Sequence, residues 1–323
     1  MPPLNLHFED PFAAQQGRVT ARMVWMYDRP STEATRVKIC YRDMLLNIAN
    51  TAISDDANSR NRVWYEIGNE NSTDGYLYSG NIQPVKTILN TPSMVDVPTA
   101  GLLAEVSVPY TDAHETADKT SKVAYRMYYE TTHWIKSIKS NAEGQFWYQV
   151  YDDKLDKYYY ARGEHIRLMS AEELTPISPD VPNKDKKILV QLEEQLVIAY
   201  EDNAPVFTTP VSTGGLYRAG TYTTPKGAFL TYYKRPSRHM AAGDLASSGF
   251  DLPGVPWVQY ITESGISFHG TYWHNDFGRP RSHGCINLPM SAAKWLYRWT
   301  LPEVPIRKTF SYGSAGTKVE ILL

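Results

Sequence analysis

The sequence predicts a mainly β chain of three modules, the last carrying one helix and a compact block of chemistry. Three observations predict it. Short alternating apolar runs, broken by turn residues, fill most of the length. An aromatic pattern recurs about 83 residues apart, Trp147 against Trp64 (147 − 64). His, Gly and Cys cluster between residues 266 and 288. The 23 Tyr, beside 8 Trp and 9 Phe, add to the strand bias and suggest surfaces that stack on a polymeric ligand.

Composition bounds the rest. A chain of 323 residues has room for two or three domains. With 33 Lys and Arg against 35 Asp and Glu, the net charge of −2 gives no electrostatic footprint for nucleic acid or anionic lipid. There is no run of 18 apolar residues to form a transmembrane segment. The two cysteines, Cys40 and Cys285, make no disulfide framework and are expected free. Residues 1–17 read as a loosely docked or disordered tail, with no basic segment followed by an apolar one and so no secretory signal.

Residues 18–90 hold the first strand-rich module, with Val63-Trp64-Tyr65-Glu66-Ile67 and then Tyr76-Leu77-Tyr78-Ser79. Residues 104–170 repeat that order. Phe146-Trp147-Tyr148-Gln149-Val150 matches the first run, and Tyr158-Tyr159-Tyr160-Ala161 is matched to the second at an offset of 82 (158 − 76). Segments 90–99 and 174–183 carry prolines and read as linkers. Most of the repeated aromatics are expected to be module core.

The third module spans 186–323. Ile188, Val190 and Leu192 alternate, Glu193-Glu194 turns, and Leu196, Ile198 and Tyr200 return, giving a hairpin. Residues 231–256, with Pro236, Gly243 and Pro253-Gly254, read as a long irregular lid or binding loop. Pro289 suits the first turn of a helix whose apolar stripe is Ala292, Ala293, Trp295, Leu296 and Trp299. Its task is to brace the preceding loop. Residues 316–323 read as a closing strand.

The chemistry lies between. Cys285 is two residues from His283 across Gly284, and His269 ends the alternating run Ile266-Ser267-Phe268. A thiol attacks as thiolate, so an imidazole must take its proton. Gly284, lacking Cβ, lets backbone N–H groups converge on one point as an oxyanion hole requires. Two other readings compete. A buried hydrophobic cysteine fits poorly with Ser-His-Gly before it and Asn after it. A zinc set of His269, His274, His283 and Cys285 is opposed by Gly278-Arg279-Pro280-Arg281, which crowds a metal site with two cations, so no metal and no cofactor is expected.

His269, followed thirteen positions later by Ser282-His283-Gly284-Cys285-Ile286-Asn287, resembles the signature of the L,D-transpeptidase (YkuD) catalytic domain family. Thr224-Pro225-Lys226-Gly227-Ala228-Phe229 is similar to a second element of that family. The Trp-Tyr-x-aliphatic run, an aromatic strand and a short terminal Ile resemble bacterial SH3-like (SH3b) domains. The resemblances imply two tandem SH3-like β-barrels followed by a YkuD-type β-sandwich with one helix after the nucleophile. They further imply an extracytoplasmic cysteine acyl-transferase that acts on peptidoglycan stem peptides and forms 3→3 cross-links, with SH3-like modules for wall targeting and carbapenem-type β-lactams as covalent inhibitors.

In that reading Cys285 is the nucleophile, His269 the base oriented by the Gly270 carbonyl, and His283 a positioning residue. The N–H groups of Gly284 and Cys285 are the oxyanion donors. The thiolate of Cys285 is expected to be more populated than that of Cys40, which lies in an apolar run and should have a raised pKa. Trp273 and Asn287 correspond to acceptor-side positions, and Arg281 offers a fork for a carboxylate. Met240 falls where a lid methionine would. Phe250 stands near a position where many relatives carry a tyrosine, so that hydroxyl is absent here. Ser282 and Tyr232 complete the expected substrate-binding set. An L,D-carboxypeptidase using water, and a catalytically silent wall-binding protein, remain as alternatives.

Overall fold

The computed structural model describes residues 16–323 apart from 58, 70, 142, 218–219 and 246–248. Residues 1–15 of the expected tail lie outside it. Gln16 and Gly17, read as tail, instead open the first strand.

Strands β1 (Gln16–Val19), β2 (Met23–Tyr27), β3 (Arg36–Tyr41), β4 (Leu45–Ile53), β5 (Val63–Asn69), β6 (Ser72–Tyr78) and β7 (Ile82–Val85) form one sheet in the order β3-β2-β6-β5-β4-β1-β7. Seven more follow: β8 (Leu102–Val106), β9 (Tyr110–His114), β10 (Val123–Tyr128), β11 (Thr132–Ser140), β12 (Phe146–Asp152), β13 (Lys157–Arg162) and β14 (Ile166–Leu168). Their order, β10-β9-β13-β12-β11-β8-β14, is the first order shifted by seven. The sequence repeat is therefore a repeat of topology. Trp64 and Trp147 occupy equivalent buried positions. The aromatic strand aligns differently from the offset of 82: Tyr65 pairs with Leu77 and Tyr148 with Ala161, an offset of 84 (161 − 77). The second copy has a longer β12–β13 turn, while the first has a bulge after Ile67, and the eye cannot place both from sequence.

Each sheet has its own core, one around Val19, Met26, Cys40, Tyr65 and Leu77, the other around Val106, Met127, Ile135, Tyr148 and Val150. Alternation explains them, since a strand with one face covered buries every second side chain.

The remaining strands are β15 (Lys186–Gln191), β16 (Leu196–Glu201), β17 (Ala204–Pro210), β18 (Leu216–Tyr217), β19 (Gly220–Thr221), β20 (Gly227–Leu230), β21 (Tyr233–Ala242), β22 (Phe250–Tyr260), β23 (Ser267–Gly270), β24 (Ile286–Leu288), β25 (Ser311–Tyr312) and β26 (Lys318–Leu322). Two five-stranded sheets result, β17-β16-β15-β26-β20 and β24-β23-β22-β21-β25. The β15–β16 hairpin runs as expected, and β26 closes the chain by pairing parallel with β15. Helix α1 (Met290–Trp299) starts directly after Pro289 and buries Ala292, Ala293, Leu296 and Trp299. Trp295 stacks on Phe207 with ring centroids 4.1 Å apart.

One expectation is overturned. Residues 231–256 are not irregular; most lie in β21 and β22, paired antiparallel from Tyr233↔Tyr260 to Ala242↔Phe250. Pro236, Pro253 and Pro256 mislead because proline usually ends a strand. Here the register shifts once, between Arg238 and Met240, where Pro253 falls on the partner strand, and Gly254 and Trp257 take positive φ of 68° and 61°. The described residues between the two strands are Gly243, Asp244, Leu245 and Gly249, with the Gly249 N–H bonded to the Asp244 carbonyl at 2.7 Å.

The modules do not hang free. Leu103 and Trp134 of the second sheet, and Met169 just after its last strand, share one apolar core with Ile188, Trp257, Phe268 and Leu296. Arg18, fully buried, donates to the Tyr272 carbonyl at 2.6 Å, across 254 residues of sequence.

Candidate active site

Strands β23 and β24 run parallel, with Phe268 opposite Ile286 and His269 opposite Asn287. That register sets the residue before Ile286, Cys285, beside Ser267. The loop before β24 is pinned from behind by bridges from Ser212 to Asn287 and from Gly214 to Ser282. Gly284 sits at φ 110°, a region that a side chain makes costly, and an added Cβ would stand 2.7 Å from Ile266 Cδ1. Its N–H donates to Ser282 Oγ at 3.0 Å, and Ser282 Oγ donates to the Cys285 carbonyl at 2.5 Å. One sequence expectation changes here. The Gly284 N–H is engaged by the turn rather than offered to a substrate, and Ser282 Oγ clamps that turn. Thr224, from the Thr-Pro-x-Gly element, donates to the Gly284 carbonyl at 2.8 Å and accepts from the Gly214 N–H at 2.9 Å. Sequence reasoning noticed that element but not this tie.

His269 is buried, with Nδ1 3.0 Å from the Gly270 carbonyl. A carbonyl only accepts, so Nδ1 carries the proton and Nε2 is the basic nitrogen. Burial lowers the pKa of His269 to about 4, so the ring is neutral at pH 7. Gly270 is obligatory for space: a Cβ there would meet Met290 Sδ at 2.7 Å and Pro256 Cγ at 2.8 Å.

Cys285 is half-buried, and its Sγ lies 3.7 Å from both Ser267 Oγ and the Gly265 carbonyl. Among the described residues neither histidine is hydrogen-bonded to it. Burial raises the Cys285 pKa, with the Ser267 hydrogen bond opposing in part. Burial thus works against a thiolate at Cys285, and the resting pair is a neutral thiol and a neutral imidazole in one cleft. Burial raises Cys40 as well, as its apolar run predicts. His283 is half-buried between Tyr222 and Phe250, with ring centroids 4.6 and 5.4 Å away.

These groups face a cleft of about 670 Å³. His269, His283, Cys285, Trp273, Asn287, Ser282, Arg281, Met240 and Phe250 all line it. Tyr232 does not. It lies in a separate depression of about 700 Å³, where its ring meets Tyr312 edge-on at 5.4 Å. Arg281 reaches the cleft but is paired with Asp276 at 3.0 Å. Asn287 faces His274 Nε2 at 3.0 Å, while His274 Nδ1 accepts from the Asp276 N–H at 3.2 Å. His274, weighed above as a metal ligand, has both nitrogens so engaged and orients Asn287. Among the described residues no group of three or more His, Cys, Asp or Glu is placed to hold a metal.

With this geometry in hand, the sequence can be placed among known proteins. Residues 185–321 match the YkuD family, the L,D-transpeptidase catalytic domain. YciB of Bacillus subtilis strain 168, an L,D-transpeptidase by name, is 30% identical over 136 residues, covering 39% of this chain and 66% of its own. An L,D-transpeptidase structure from Mycobacterium smegmatis is 22% identical, with a TM-score of 0.35, over 43% of this chain and 59% of that one. The catalytic domain of the Enterococcus faecium L,D-transpeptidase is 24% identical, with a TM-score of 0.33, over 43% of this chain and 97% of that one. This chain thus spans slightly under two thirds of YciB and of the mycobacterial protein. The YkuD match covers β15 to β26 and holds every residue of the Cys285 and His269 site, but none of the two N-terminal sheets.

Those two sheets supply what sequence reasoning missed. Arg18, Thr20, Ala21 and Arg42 of the first, and Tyr125, Arg126 and Tyr128 of the second, line the same cleft as Cys285. No local pattern marks them. Only the packing of the modules brings them there.

Proposed function

We propose that this chain is a cysteine acyl-transferase that acts on peptidoglycan stem peptides through a thioester on Cys285. The observation that carries the reading is His269, held by the Gly270 carbonyl so that its basic Nε2 shares the cleft with the Cys285 thiol. Sγ leaves the Gly265 carbonyl and attacks the carbonyl carbon of the third stem residue, meso-diaminopimelate or lysine. Its proton passes to His269 Nε2 as the C–S bond forms. The C–N bond to D-alanine then breaks, and the imidazolium returns that proton to the leaving amine. A side-chain amine of a second stem attacks the thioester, forming a 3→3 amide. Its proton goes by His269 to Sγ as the C–S bond breaks.

The neutral pair suits this sequence, because an imidazole kept unprotonated by burial is ready to accept. In this reading the domain of 186–323 is catalytic, and the repeats at 18–90 and 104–170 are SH3-like modules that bind the wall outside the cytoplasm. Carbapenems are strained acyl donors and acylate Cys285. The test is mass spectrometry of purified muropeptides incubated with the full chain. A 3→3 dimer with loss of D-alanine is expected. Tripeptide alone would identify water as the acceptor, and unchanged muropeptides would sink the reading.

A further inference from the structure

The cleft around Cys285 has a wall that the YkuD domain does not build. Four arginines line the whole cleft, Arg18, Arg42 and Arg126 on that wall and Arg281 from the YkuD domain, against one carboxylate, Asp251, also from that domain. Their charges are not equally available. Arg18 is bonded to Asp43 at 2.9 Å and to Gln83 at 2.7 Å. Arg126 is bonded to Asp43 at 3.0 Å and to Asp112 at 2.9 Å. Arg281 is paired with Asp276. Asp251 is taken by His239 and Lys154, each at 2.6 Å. Arg42 alone among these five charges has no hydrogen bond or ion pair of its side chain among the described residues. The wall therefore presents one uncompensated guanidinium.

Arg42 sits on a fixed mount. It lies in the turn between β3 and β4, where Asp43 adopts φ 66°. The backbone is tied on three sides: Arg42 N–H to the Arg22 carbonyl at 3.2 Å, Asp43 N–H to Val19 at 2.9 Å and Met44 N–H to Tyr41 at 3.1 Å. The Asp43 carboxylate also accepts from Tyr128 at 3.3 Å. Tyr128 lies 4.1 Å from the Arg18 guanidinium and stacks on Tyr272 at 5.2 Å, so first module, second module and YkuD domain meet in one packed stack. A mount this constrained cannot swing the turn away, and only the exposed Arg42 side chain keeps its freedom.

We propose that this turn and Tyr128 form a carboxylate-binding subsite of the Cys285 cleft, with Arg42 as the group that pairs with the acid. The ligand class is an acidic peptide, and the subsite rests on the stem-peptide reading above, since stem peptides carry free carboxylates beside the bond that is cut. The guanidinium fork takes a carboxylate with two parallel hydrogen bonds. The N-terminal modules thereby select the substrate and do more than deliver the enzyme to it.

The experiment uses the full chain carrying Cys285→Ala, so that peptide binds without reacting, and reads Kd by calorimetry. The probes are a synthetic stem tetrapeptide and the same peptide with its carboxylates amidated. Arg42→Ala should weaken the carboxylate peptide about tenfold, Arg42→Lys should restore part of that, and the amidated peptide should bind equally with and without Arg42. Equal Kd with and without Arg42, or equal losses for both peptides, would overturn the subsite. Turnover of the same peptides by the chain with Cys285 intact separates the two proposals. Arg42-dependent binding without turnover would sink acyl transfer and keep the subsite. Turnover with Arg42-independent binding would sink the subsite alone.

Discussion

The neutral pair at Cys285 and His269 makes a prediction about pH that a thiolate–imidazolium pair does not. Burial lowers the His269 pKa from 6.5 to about 4. At pH 5.5 a ring with the ordinary value would be about 9% neutral, whereas one with a value near 4 is about 97% neutral, roughly a tenfold difference in available base. Burial moves Cys285 the other way, upward, so the thiol stays protonated until alkaline pH. The rate of carbapenem acylation of Cys285, followed by mass spectrometry, should therefore be nearly flat from pH 5.5 to 7.5. His269→Gln should lower that plateau by about a hundredfold, the range general-base catalysis contributes. A tenfold fall between pH 7.5 and 5.5 would refute the buried neutral base. A rate climbing tenfold per pH unit would mean that preformed thiolate attacks alone. The same shift leaves a mark on stability. Between pH 4 and 6.5 the unfolded chain binds the His269 proton more readily than the folded one, so stability rises with pH across that window, by about 3 kcal/mol from this residue.

Three further outcomes are expected. Cys285→Ala should leave under about 1% of muropeptide turnover with an unfolding midpoint shifted by no more than about 2 °C, and a carbapenem adduct on the parent chain should map to Cys285 and never to the buried Cys40. Gly284→Ala should cost roughly 1–3 kcal/mol in urea unfolding and most of the activity, because φ 110° and the 2.7 Å approach to Ile266 both oppose a side chain; an unchanged denaturation midpoint would show that the loop relaxes freely. A chain cut to 184–323 should aggregate or melt well below the full chain, since it uncovers the core surface that Leu103, Trp134 and Met169 share with it. A soluble fragment with the full-length midpoint would show that the modules are passengers.

Cys285, His269 and the turn before β24 were legible because they lie within nineteen residues of sequence, 269–287. The strands were legible where one face is covered, as in Ile188, Val190 and Leu192. The β21–β22 hairpin was not, because three prolines argue against a strand, and only the pairing reveals that Pro236 and Pro256 keep the regular register while Pro253 lies at its one shift. The burial of the thiol was hidden for a related reason: adjacency to two histidines is visible in sequence, but the burial that raises the Cys285 pKa is not. The wall made by Arg18, Arg42 and Tyr128 had no local signal at all. Arg18 meets Tyr272 across 254 residues, and such docking is written in surfaces rather than in spacing.

The hairpin that carries Met240 and Phe250 shows why those distant modules matter to the site. Its ladder carries one register shift, between Arg238 and Met240, and lacks the backbone donors of Pro236, Pro253 and Pro256. The second module compensates. Thr132 Oγ1 donates to the Pro236 carbonyl at 2.6 Å, and Ser237 Oγ donates back to the Thr132 carbonyl at 2.5 Å. Asp153 takes Arg235 at 2.7 Å and Arg238 at 2.6 Å, and the backbone N–H of His239 at 2.9 Å. The His239 ring then bridges Asp152 on β12, at 2.7 Å, to Asp251 on β22. These ties cluster on residues 235–239, next to the register shift between Arg238 and Met240. Take the module away, and two guanidiniums less than a turn apart lose the carboxylate that screens them, at the base of the element that packs Phe250 against His283. Surface ion pairs contribute little, but a network half-buried between two modules has little water to replace it. The second module is therefore the support that gives the YkuD hairpin one position over the cleft.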